Sequence, residues 1–82
     1  MAKEITVQDA HQLYEKFRKY TETAEQHQFI YLMMIEVRML NTLEQYDRVG
    51  ITNQKEARAM FRVVLKTIGE DASEYEEDKY EN

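Results

Sequence analysis

Two histidines and no cysteines occur among the 82 residues, so few groups could hold a metal or attack a carbon centre. His11 and Glu15 stand four positions apart, where an imidazole and a carboxylate on one helical face supply half of a metal site. A di-iron bundle would instead place a glutamate three residues before each ligating histidine. Here those positions are Gln8 and Ala24. The absence of cysteine removes thiolate nucleophiles, disulfide frameworks and Cys-based zinc or iron–sulfur centres. There is also no P-loop, no dinucleotide-binding glycine fingerprint and no H-E-x-x-H motif. The chain is therefore expected to be no enzyme, with no cofactor, no metal and no catalytic residues.

Charge is the stronger pattern. Lys55, Arg58, Arg62 and Lys66 recur at helical spacing and form a basic ridge opposite an apolar stripe. Arg58/Arg62 and Arg62/Lys66 are like-charge i,i+4 neighbours, mildly unfavourable in an isolated helix, which an anionic partner would relieve. The net charge of -5 hides an asymmetry. Residues 70–82 carry seven acids against Lys79, leaving residues 1–69 with nine acids and ten bases. A nearly neutral body thus bears an acidic tail, whose Glu74, Tyr75, Glu76, Glu77, Asp78 and Tyr80 form the expected tail contact. Acids interleaved with tyrosines imitate the charge and ring stacking of a nucleic acid, as small inhibitors encoded by phages and other mobile elements do. The tail could also fold back and screen the ridge.

These groups need elements to position them, and the composition points to helices. With no proline and two glycines, the chain lacks the turn material of an all-β fold. Hydrophobic residues at 43% and charged residues at 33% suit a folded domain rather than a disordered one. Thr6 is expected to cap a first helix over residues 7–20 with Ala10, Leu13, Tyr14, Phe17 and Tyr20 on one face. A T-x-x-Q box at Thr23 and Gln26 suggests a second helix over 24–48, ending at Gly50, though one unbroken helix competes with that reading. Thr52 or Asn53 is expected to cap a third helix over 53–68, with Gly69 at its end and Ala57, Met60, Phe61, Val64, Leu65 and Ile68 buried. Residues 1–69 then form a single domain, and 70–82 a largely disordered tail.

The fold expected is an all-α three-helix bundle with a long central helix. Phe29 to Ile35 is apolar around the whole helical circumference, and the second half narrows to a stripe of Met39, Leu40, Leu43 and Tyr46. A helix apolar on all sides needs partners on all sides. A homodimer, two units joining into a larger helical bundle, is expected, with Ile30, Tyr31, Met34 and Arg38 as the self-association residues.

The expected function is a small protein-interaction module, an adaptor or inhibitor, acting through helical surface and acidic tail on a protein partner. The alternative is a nucleic-acid-binding transcriptional regulator using the ridge, since the second helix, the Gly50 turn and the third helix share the outline of a helix-turn-helix. The acidic whole chain weighs against it. No apolar run approaches the ~18 to 20 residues of a membrane span, and Met1-Ala2-Lys3-Glu4 is no secretory signal. A cytoplasmic protein of microbial or viral type is expected, in the host cell if viral.

Overall fold

The computed structural model describes residues 4–76 as an all-α arrangement of three helices. The first, α1 (Val7–Thr23), starts at a reciprocal capping box. The Thr6 hydroxyl accepts from the Asp9 N–H at 3.1 Å while the Asp9 carboxylate accepts from the Thr6 N–H at 3.0 Å, satisfying two donors that helix geometry leaves open. Ile5, just outside, is buried. Its N–H donates to Gln54 Oε1 and its carbonyl accepts from Gln54 Nε2, both at 2.8 Å, so one side-chain amide ties the start of α1 to the start of α3.

Where α1 ends, the structure differs from the sequence reading. The helix runs on to Thr23, and the Thr21 and Thr23 hydroxyls donate back to the carbonyls of Arg18 and Tyr20. Thr23 is thus satisfied by its own helix and does not cap the next one. Ala24 and Glu25 are extended, with ψ of 151° and 153°, which breaks the chain into two helices without glycine or proline. A 3₁₀ turn over Gln26–Gln28 then leads into α2 (Phe29–Val49).

With 21 residues, α2 spans ~32 Å, against ~25 Å for α1 and ~21 Å for the 14-residue α3 (Gln54–Thr67). It is the long helix of the fold. Gly50 takes a φ of 79°, a left-handed value that only glycine adopts freely, and its N–H donates to the Tyr46 carbonyl at 2.7 Å. Asn53 caps α3 by accepting from the Glu56 N–H. At its far end Gly69, with φ of 77°, closes a Schellman motif: the Glu70 N–H reaches the Leu65 carbonyl and the Gly69 N–H reaches that of Lys66.

The core gathers Ala10, Leu13 and Phe17 from α1, Leu32, Ile35, Met39 and Leu43 from α2, and Ala57, Phe61, Val64 and Leu65 from α3. The Cα envelope measures 43 × 29 × 16 Å. A body this thin has little depth with which to wrap its longest helix. Beyond Gly69, residues 70–76 turn back onto α3 through a 3₁₀ turn at Ser73–Tyr75, with Ala72 buried. This part of the expected tail is folded against the body. Glu77, Asp78 and Tyr80 lie outside the described residues.

Candidate functional site

His11 uses its imidazole to join helices. Its Nε2 lies 2.7 Å from Asp47 Oδ1 near the end of α2, with both side chains about half exposed. His27 lies 3.2 Å from Glu25 at the surface. Among the described residues no three histidine or acidic side chains converge on a point where a metal ion could sit.

The basic ridge is divided by its own neighbour. Lys55 and Lys66 are exposed, whereas Arg58 and Arg62 are half-buried. For Arg62 the cause is the returning chain. The Tyr75 ring packs on Phe61 with centroids 5.0 Å apart, and Arg62 Nη1 donates to the Tyr75 carbonyl at 2.5 Å. The burial leaves Arg58 Nε without a hydrogen-bond partner among the described residues. Lys16 of α1 meets Glu70 at 2.7 Å, fastening the same strap from the other side. Glu74 and Glu76 point to solvent. The Ser73 N–H, and after it the Ser73 hydroxyl, hold the Asp71 carboxyl below its usual value. Among the described residues, the Tyr75 carbonyl meets the ridge at Arg62 while the Tyr75 ring rests on Phe61 of the neighbouring apolar stripe.

The largest departure from an ordinary protein surface is on α2. Leu32, Ile35, Met39 and Leu43 face inward and are at most 8% exposed. Phe29, Ile30, Tyr31, Met33, Met34, Val37 and Leu40 all lie between 46% and 74% exposed. Only two other large hydrophobic residues among those described, Val49 and Val63, are comparably exposed, so the apolar surface is concentrated on three turns of one helix. Past Leu40 the same side becomes Asn41, Glu44, Asp47 and Arg48.

The sequence-derived association residues Ile30, Tyr31, Met34 and Arg38 are all exposed, but they straddle one edge of this patch. Tyr31 lines a cleft with Tyr20, Val63 and Lys66, and Arg38 lines another of about 450 Å³ between α2 and α3. Three of the association residues, Ile30, Tyr31 and Met34, belong to the patch, and Ile30 shares its centre with Met33, Val37 and Leu40. Leu40 does not share the buried stripe of Met39 and Leu43, because the 100° step from Met39 carries it round to the outward side. The signal that could have identified the patch is the 3-4-3 spacing of those four residues, which a window centred on the first half of the helix divides.

Its borders are polar and partly anchored. Tyr14 of α1 donates to Glu36 at 3.2 Å. Burial, with the Glu36 charge second, raises the Tyr14 hydroxyl above its ordinary value. A cleft of about 520 Å³ beside Phe29 and Met33 separates α2 from the end of α1. This arrangement can bury apolar surface. No helix of the described residues is long and apolar enough to cross a membrane. Compared with protein-family models, with curated proteins and with solved structures, the chain matches none.

Proposed function

We propose that the protein is a small non-enzymatic interaction module, an adaptor or inhibitor, that binds another polypeptide through the outward face of α2 and uses its acidic C-terminal segment for electrostatic selection. One observation carries this reading: seven large hydrophobic residues crowd onto three exposed turns. Scattered exposed hydrophobics are normal, but a contiguous patch rimmed by polar groups is the signature of a surface that is covered in use. Self-association into a larger helical bundle belongs to the same proposal, as does a cytoplasmic setting in a microbe or an infected host, which suits a cysteine-free chain.

The nucleic-acid alternative draws less support from the geometry. Its central cation, Arg62, is spent on the Tyr75 carbonyl, and the strap brings acidic residues toward the ridge that phosphates would need.

The test compares the full-length chain with the double variant Met33→Asp plus Val37→Asp in affinity capture from the native cell extract. Binding at this face should weaken roughly 100-fold while the helical circular dichroism stays the same, because both side chains point away from the core. Equal capture by a folded variant would overturn the reading. A salt-dependent shift of duplex DNA that survives the double variant and disappears with Arg58→Glu plus Arg62→Glu would install the alternative.

A further inference from the structure

We propose that the occupant of the α2 face is a second copy of this chain, laid antiparallel so that Ile30 of each copy meets Leu40 of the other and Met33 meets Val37. This rests on the docking role assigned to that face above and names what docks there.

The spacing supplies the first argument. Ile30, Met33, Val37 and Leu40 follow one another by three, four and three residues, the alternation that seats knobs into holes along a two-helix seam. Read backwards about position 35, the series is unchanged. A two-fold axis through that point therefore maps the stripe onto itself, which is the condition for an isologous, self-closing interface.

Area supplies the second. With Phe29 and Met34 beside them, these side chains offer roughly 600 Å² of exposed apolar surface per copy, so complete burial in a pair would remove about 1,200 Å² from water, the lower edge of the range for stable specific interfaces. A single copy has no segment among its described residues that covers this surface.

Charge decides the direction. The same face continues into Glu44 and Asp47. Parallel helices in register would set each acid against its own counterpart. Antiparallel helices bring Glu44 level with Gln26 of the other copy, beside the start of its α2. That start has no side-chain cap and no acid in its first turn, and although the Gln28 and Phe29 N–H groups are taken up by the carbonyls of Glu25 and Gln26, its positive dipole end favours an incoming carboxylate. Arg48, paired only loosely with Glu44 at 3.4 Å, is likewise carried away from its own counterpart.

Because the chain contains no cysteine, single thiols can report the pairing in the full-length protein. Ile30→Cys and Leu40→Cys chains are prepared separately, checked for unchanged circular dichroism, and oxidised alone and as an equimolar mixture. The mixture is expected to give mixed-chain disulfide dimers roughly ten-fold above either chain alone, since like positions lie ~15 Å apart along the antiparallel axis. Met33→Cys with Val37→Cys repeats the test should either first variant fail to fold. Efficient cross-linking of Ile30→Cys to itself overturns the antiparallel pairing while self-association stands. Sedimentation of the native chain as a single copy at high micromolar concentration overturns the proposal outright. If that single copy still loses a different protein partner on Met33→Asp plus Val37→Asp, the docking reading of the face survives without it.

Discussion

The inward and outward faces of α2 are built from the same materials and meet opposite fates. Leu32, Ile35, Met39 and Leu43 are sealed by α1 and α3; Ile30, Met33, Val37 and Leu40, with the same residue classes and nearly the same spacing, stand in solvent. Helix α3 offers a control, since its apolar stripe is sealed and its opposite side is dominated by charged and polar groups, with Val63 as the exposed exception. Folding of one copy accounts for the composition of α3, but for only half of α2, and the other half is the surface on which the proposed docking rests.

The sharpest way to break this contrast is to shorten one side chain on each face. Met39→Ala should lower the unfolding free energy by about 2–5 kcal/mol, since a side chain 1% exposed leaves a cavity in a core this small. Val37→Ala should cost about 0.5 kcal/mol or less at protein concentrations low enough to keep copies apart. Urea unfolding monitored by circular dichroism measures both, and equal losses would mean that the outward face is packed within a single copy.

A smaller effect tests whether the strap and the α2 face are independent. Tyr75→Ala removes a ring from Phe61 and loosens the main chain that Arg62 holds. It should cost about 1–2 kcal/mol and speed amide exchange at residues 70–76, with association through α2 unaltered. A parallel loss of association would show that the two regions are coupled.

The smallest expected effect lies in the alkaline limb of stability. Burial first, and the charge of a neighbouring Glu36 or Glu56 second, raise the hydroxyls of Tyr14 and Tyr46 above 10.0. A folded-state value above the unfolded one means that the unfolded chain releases its protons first as pH rises. The stability is thus whole below pH 10 and declines above it. Tyr14→Phe should flatten that decline in urea unfolding between neutral and strongly alkaline pH. Because Tyr14 touches the border of the outward face and not its centre, association should change little.

Much of the architecture was legible in residue types alone. Thr6 and Asp9 mark the first helix start, Asn53 and Glu56 the third, and Gly50 and Gly69 the ends of α2 and α3, because capping and left-handed turns depend on side chains within a few positions. The break at Ala24–Glu25 was less legible. Thr23 fits a capping box as written, and only the folded chain shows its hydroxyl turned back to Tyr20. For the candidate site, the excess of apolar surface on residues 29–35 was readable, but not its centre. The assignment of Leu40 to the core and the weight placed on Tyr31 and Arg38 both came from reading one stripe where there are two.

What the linear sequence settles about this protein is local: three helices, where two of them stop, and a surplus of apolar side chains on the second. Which of two equivalent stripes faces the core, and that Tyr75 returns to lie on Phe61 and draw in Arg62, was decided only when the helices packed. The physical reason is that caps and periodicity are interactions over one or two turns. Burial is a property of neighbours that lie tens of residues away in sequence, and a 100° step between adjacent positions is enough to move a leucine from core to surface.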